Sequence, residues 1–187
     1  NLGFPKGCNQ GLEIATGTEL LLLNSDTVVT KNWLKNLRCA LYSSPKVGAV
    51  SCVANCCPHN QMIETHYEKL EDMQDFAADY NKSNPELWEK RTTLIGFCYL
   101  FKREVLEKVG FLDDRFSPGN YEDDDYSLRI LQAGYDLLLC RDTFIHHFGS
   151  ASFEKKLKVQ NEAEMRERYN ATLMRNRTIF FEKWQGA

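Results

Sequence analysis

Apolar residues gather along this chain in short dense runs, separated by polar stretches with helical spacing. Leu20-Leu21-Leu22-Leu23 is one such run and stops at Asn24-Ser25-Asp26. Four leucines without polar alternation predict a central strand, buried on both faces and ending in a polar loop. Val47 to Val53, apolar and rich in valine, predicts the next strand. Between them Trp33, Leu34, Leu37, Ala40 and Leu41 recur at helical spacing, with Thr30 as the candidate cap. Further on, the pattern predicts a strand over Thr92 to Phe101 and a helix over Arg103 to Val109, ended by Gly110. A second helix follows over Glu122 to Ala133, ended by Gly134, and then short strands over Tyr135 to Cys140 and Thr143 to His147. Gly3, Gly7 and Gly11 with Pro5 predict an opening loop, followed by a short helix over Asn9 to Thr16 that Gly17 ends. Pro58 to Lys90 is polar and irregular, with helical character over Tyr67 to Tyr80 and a helix start at Asn84-Pro85-Glu86. Ser152 opens a long charged amphipathic helix, and a second helical stretch reaches Trp184. Strands alternating with helices, without an internal repeat, predict an α/β layered fold.

Composition narrows the class. The 187 residues suit one globular domain. A net charge of −3, from 23 basic and 26 acidic residues, argues against a nucleic-acid binder, so no nucleic-acid partner is expected. The longest apolar run is far short of the roughly 20 residues that span a bilayer. Seven cysteines, an odd number with no C-x-x-C spacing, read as free thiols in a reducing compartment, and hence as a cytoplasmic protein. The sequons at Asn81, Asn170 and Asn176 then read as chance. The chain starts abruptly at Asn1-Leu2-Gly3-Phe4, with neither an initiator Met nor a signal peptide.

Three segments could carry chemistry. Asp26 lies just past the carboxyl end of the Leu20 to Leu23 run, where open α/β sheets bind ligands and where metal-bound phosphates need hard oxygen donors; a plain strand-ending turn uses the same residue types. Glu122-Asp123-Asp124-Asp125 sets four acids at a helix start, where the dipole offsets part of their repulsion. Glu122 and Asp125 share a face, while Leu128 and Leu131 anchor the helix, so some of the acids face a neighbouring loop where a carboxylate can accept a proton. In His146-His147, neighbours on a strand face opposite ways, so at most one lines a given site. Walker, Rossmann, EF-hand and zincin motifs are all missing from the sequence.

Taken in order, these segments resemble family-2 glycosyltransferases, inverting enzymes of the GT-A fold, in particular the rhamnosyltransferase-like branch. The resemblance rests on Asn1-x-Gly3-Phe4-x-x-Gly7-x-Asn9-x-Gly11 with Ala15 and Gly17, and on Leu20 to Leu23 followed by Asn24-Ser25-Asp26-Thr27, where Asn replaces the first acid of an aspartate-x-aspartate strand. It continues through Arg103-Glu104 with Gly110-Phe111-Leu112-Asp113-Asp114-Arg115-Phe116, through Tyr121-Glu122-Asp123-Asp124-Asp125 with Arg129, and through Ile145-His146-His147-Phe148-Gly149-Ser150. Each motif alone is weak; five in the right order are specific, up to about Ser152.

The resemblance implies a GT-A, Rossmann-like mixed sheet flanked by helices. It implies transfer of a hexosyl or deoxyhexosyl group, with inversion, from a nucleotide-sugar (a UDP- or dTDP-sugar) to a saccharide, lipid-linked or protein acceptor. Asp26 and the late His147 would hold a divalent cation, magnesium or manganese. Asn1, Gly3, Asn9, Asn24, Ser25 and Asp26 would border the donor. Asp123 would be the base, with Asp124 as second choice, Glu122 and Arg129 as supports, and Gly96 and Phe97 shaping the sugar pocket. Residues 1–152 would form the metal-binding and acceptor-side part, and residues 153–187 a helical extension packed on it, in an enzyme of polysaccharide biosynthesis working in the cytoplasm at the inner face of the membrane. The strands that build the base pocket in this fold do not precede Asn1. The resemblance therefore implies an N-terminally truncated domain that binds donor poorly, lacks activity by itself and self-associates through an exposed sheet edge. Two other readings compete: a metal-dependent nucleotidyltransferase, and a non-catalytic GT-A-like binding module.

Overall fold

The computed structural model describes residues 2–58, 60–149 and 162–185. Five strands form one mixed sheet in the order β1-β5-β3-β6-β4. These are β1 (Glu19–Leu23), β3 (Val47–Val53), β4 (Trp88–Arg91), β5 (Cys98–Lys102) and β6 (Asp136–Phe144). β3 and β6 run parallel; the other neighbours are antiparallel. Two-residue strands β2 (Thr27–Val28) and β7 (His146–His147) make a separate ladder at the end of the sheet. The helices are α1 (Phe4–Ile14), α2 (Trp33–Leu41), α3 (Leu70–Tyr80), α4 (Arg103–Val109), α5 (Glu122–Gln132) and α6 (Glu162–Trp184). This is the expected mixed α/β architecture.

The central strands are apolar at nearly every position because both faces of the sheet are covered. Side chains alternate between two cores. Ala49, Val53, Tyr99, Phe101, Leu137 and Leu139 face one way, toward Tyr126 and Ile130 of α5 and Val105 of α4. Val50, Cys52, Cys98, Leu100, Leu138 and Cys140 face the other, toward Leu37, Ala40 and Leu41 of α2. Cys52, Cys98 and Cys140, within apolar runs of the sequence, are buried, as is Cys57; Cys39, in the apolar pattern of α2, is exposed, as is Cys56.

Several elements differ from the sequence pattern. β1 is an edge strand among the described residues, not a central one: it pairs with β5 alone, and only Leu20 and Leu22 are buried while Leu23 is 37% exposed. The glycine-rich opening is helix α1 rather than a loop. Pro5 sits in its first turn, where a missing N–H costs nothing, and Arg103 donates to the carbonyls of Ala15 and Gly17 at its far end. Gly3 is required there. Its φ is 82°, and a Cβ on it would lie 2.4 Å from Pro118 Cα. Thr30 does not cap α2: Asn32, in the left-handed region, precedes the helix, and the Thr30 hydroxyl donates to the Phe144 carbonyl. The strand expected over Thr92 to Phe101 is confined to β5. β4, with the polar sequence Trp-Glu-Lys-Arg, forms instead as the opposite edge, where antiparallel pairing with β6 needs no apolar face. The Ser152 helix start lies outside the described residues.

Two sequons are spent on the fold. The Asn81 amide donates to Phe144 and Lys31 carbonyls and accepts from the Phe144 N–H, and the Asn176 side chain is equally buried.

Candidate active site

The carboxyl end of β1, the amino end of β5, the β2–β7 ladder, the N-terminus of α5 and one face of α6 border a cleft of about 460 Å³. It is bordered by Phe4, Asn24, Gly96 and Phe97, by Gly119 through Asp124, and by His147 and Leu173. The turn after β1 is tightened by a bond from Thr27 Oγ1 to the Asn24 carbonyl, and Phe148 N–H donates to the Asp26 carbonyl across the β2–β7 ladder. That ladder sets Asp26 beside His147.

The His147 ring is tightly specified. Its Nδ1 lies 2.8 Å from the Cys56 carbonyl oxygen, which can only accept, so Nδ1 carries the proton. Phe97 stacks on the ring at 5.1 Å. The His147 backbone N–H donates to Asn55 Oδ1. In the neutral ring Nε2 then presents its lone pair, 3.3 Å from Asp26 Oδ1. It is buried and makes no hydrogen bond. A ring nitrogen lone pair facing a carboxylate oxygen is a pair of acceptors that repel unless a proton or a metal ion joins them. Anchoring of the opposite ring nitrogen on a carbonyl is the usual support of a metal-bound histidine. The donor set therefore fits a divalent cation with two protein ligands. No group of three or more His, Cys, Asp or Glu suited to a metal occurs among the described residues, so ligand oxygens and water would complete the shell, as with phosphate-bound cations. His146 faces the other way, with Tyr67 Oη 2.6 Å from its Nδ1, inside an aromatic cluster with Phe144 and Phe148.

Opposite the Asp26–His147 pair stands the start of α5. Asp123 Oδ2 accepts from the Gly96 N–H and Oδ1 from the Asp124 N–H, both at 3.0 Å. Asp124 accepts from Thr93 Oγ1 at 2.7 Å. Burial, reinforced by the charge on Asp124 and opposed by the two N–H bonds, raises the Asp123 pKa to about 6. A half-buried carboxylate with that affinity, on the wall of a cleft, is suited to take a proton near neutral pH. Glu122 lies deeper, and burial followed by the Asp123 charge pushes its pKa up to about 8. Its Oε2 is buried without a partner.

A stability prediction follows from Glu122. A folded pKa above the ordinary 4.5 means that folding favours the protonated form. That contribution is complete below about pH 4.5 and is lost as pH rises through about 8. Glu122→Gln, neutral at every pH, is therefore expected to gain on the parent above pH 8, by about 2–4 °C in Tm for each 1 kcal/mol. It should gain nothing at pH 5. Thermal unfolding at pH 5 and 9 checks this; an equal difference at both ends would refute it.

Asp123, Asp124, Glu122, Asn24 and His147 thus meet in one cleft, with Asp26 against His147. Other sequence candidates do not line it. Ser25 is exposed, and Gly3 supports the loop at Pro118. The Asn9 amide clasps Leu112 and Asp114. Asp113 is held by Arg115 and Lys183, which keep its carboxyl well below the usual range. Asn1 lies outside the described residues. Sequence reasoning missed Phe4, Asn120, Tyr121 and Leu173. Tyr121 adjoins the acidic run and could have been suspected from that; Leu173 gives no local signal.

Comparisons with known proteins give the family and the fold. Residues 2–170 match the family described as Glycosyltransferase like family 2, and the chain belongs to that family. Solved structures with a similar fold include the mannosyltransferase PcManGT of Pyrobaculum calidifontis, in complex with GDP-Man and Mn2+. It is 23% identical with a TM-score of 0.53, over 78% of this chain and 36% of that one. Another is GalNAc-T7 with UDP, GalNAc and Mn2+, 14% identical with a TM-score of 0.58, over 78% of this chain and 30% of that one. The fold is that of GT-A glycosyltransferases, and this chain spans about a third of the length of these two structures. A comparison with curated proteins gave no match.

Proposed function

We propose that this chain carries the metal-binding and acceptor-side part of a glycosyltransferase that moves a sugar from a nucleotide-sugar to an acceptor hydroxyl with inversion. The observation that supports it best is the opposition, across one cleft, of the Asp26–His147 pair and a carboxylate of raised pKa at Asp123. Asp26 and His147 would hold Mg2+ or Mn2+. Bound there, the cation supplies positive charge to the diphosphate leaving group. Asp123 accepts the proton of the acceptor hydroxyl. The oxygen then bonds to the anomeric carbon on the face away from the diphosphate, and the electron pair of the broken carbon–oxygen bond leaves with the nucleotide. The Gly96 and Asp124 N–H groups aim the Asp123 carboxylate. Asp124 is the second choice of base. Protonated Glu122 keeps the cluster from carrying a third negative charge. Helix α6 serves as an extension packed on the rest.

The test is metal-dependent nucleotide binding, by calorimetry with UDP and GDP, with and without Mn2+. Asp26→Ala is expected to weaken the Mn2+-dependent component on the order of tenfold or more, since even the outer supports of a metal site are worth 10–100-fold. Unchanged metal dependence would remove Asp26 from the site.

A further inference from the structure

The loop from Phe116 to Tyr121 leads into α5 and forms one wall of the cleft through Gly119, Asn120 and Tyr121. Its backbone is unusual. Asn120 and Tyr121 both adopt positive φ, 76° and 74°, a region seldom occupied by residues with a Cβ, least of all by a bulky one. Such a conformation persists only where its surroundings hold it.

The hold comes from α6, more than fifty residues further along the chain. Asn176 is fully buried. Its single amide nitrogen donates to three carbonyls of this loop, Phe116 at 2.7 Å, Gly119 at 2.8 Å and Asn120 at 3.0 Å. Its Oδ1 accepts from the Arg175 guanidinium at 2.7 and 3.0 Å, and that guanidinium also donates to the Ser117 carbonyl. Residues three before, four after and seven or eight after Asn176 lie on the same helical face. Leu173 borders the cleft, Phe180 packs on the Tyr121 ring at 5.4 Å, and Lys183 and Trp184 reach Asp125 of α5.

We infer that Asn176 is a positioning residue: by gathering the Phe116, Gly119 and Asn120 carbonyls it fixes the loop that aims the Asp123 end of α5 into the cleft. The kinetic consequence rests on the sugar-transfer reading above; the structural consequence does not. An asparagine suits this place because an amide offers two N–H protons to the carbonyls and an acceptor to Arg175 at once. A carboxylate of the same shape would face three carbonyl oxygens with no proton to give.

The test uses Asn176→Asp and Asn176→Ala in the full chain, with Asn176→Ser, which keeps one donor, if either fails to fold. Amide hydrogen exchange is expected to accelerate about tenfold or more across residues 116–124, with β3 and β6 keeping their protection. In transfer assays kcat is expected to fall about 10- to 100-fold, with KM for the nucleotide-sugar within about twofold, and Asn176→Ser should recover part of the loss. Unchanged exchange over 116–124 would overturn the proposal. So would a loss of protection spread evenly over the sheet, or an unchanged kcat in an active parent. Should the parent itself transfer no sugar, that failure belongs to the functional reading, and the exchange result decides the role of Asn176.

Discussion

In the full-length enzyme, replacing Asp123, the proposed base, with Asn is expected to lower sugar transfer by about 10²- to 10⁴-fold, the usual contribution of a positioned general base, while binding of the nucleotide-sugar stays within a few-fold. The amide is nearly isosteric, and its oxygen still accepts from one of the two N–H groups, Gly96 or Asp124, that hold the carboxylate. It has no affinity for the proton of an acceptor hydroxyl, so the loss falls on the chemical step. The pH profile gives an independent reading. The base must be ionised to act, so the parent rate should rise as pH increases through about 6 and level off above it. The residual rate of the variant should show no such rise. Retention of more than about a tenth of the rate, or of the acid limb, would transfer the role to Asp124.

Asp125→Ala is expected to be the most destabilising single change in α5. The carboxylate is fully buried. It receives Arg129 Nε at 2.9 Å, Lys183 Nζ at 2.6 Å and Trp184 Nε1 at 3.1 Å. Removing it takes the carboxylate from Arg129 in a mostly buried junction between α5 and α6, while Lys183 keeps its pair with Asp113. Breaking a buried pair from one side costs about 3–5 kcal/mol, a large share of the 5–15 kcal/mol that about covers a whole domain. For a chain of this size the melting temperature should fall by about 6–20 °C. The exposed Arg168–Glu164 pair at 2.6 Å on α6 is the control: Arg168→Ala should cost less than about 1 kcal/mol, because solvent screens such pairs. Thermal unfolding of both variants decides the matter; similar shifts would show that the Asp125 cluster contributes no more than a surface pair.

These two neighbouring acids show what the sequence made legible. The run Glu122 to Asp125 announces a helix start, and the order of motifs around it points to the family, so Asp123, Asp26 and His147 stand out from the chain alone. The split between Asp123 facing the cleft and Asp125 facing α6 follows from helical spacing once the packing side is known, and the packing partner is some sixty residues away. Local pattern misled where glycine and proline were read as loop formers: Gly7 and Gly11 sit within α1, where nothing lies within 4 Å of an added Cβ. It misled again at Leu20 to Leu23, because an apolar run reports burial of side chains and says nothing about how many neighbours a strand has. β4 escaped notice because an edge strand need not alternate. The cleft wall built by Phe4, Tyr121 and Leu173 joins three distant segments, and no single window of sequence contains it.

The ladder of β2 and β7 carries a consequence for the order in which the protein takes shape. It pairs Thr27 with His147 and Val28 with His146, about 120 positions apart along the chain. Closing a loop of that size by itself costs about 4 kcal/mol in chain entropy, more than two pairs of residues can return. The contact becomes affordable only after β6 has zipped onto β3, since β6 ends at Phe144 and delivers the histidine to the right place. A nascent chain that has emerged as far as Leu139 already owns Asp26 and all four acids of α5, yet has no partner for the aspartate. Pairing of Asp26 with His147 is thus expected to be a late event in folding, following the docking of β6 on β3.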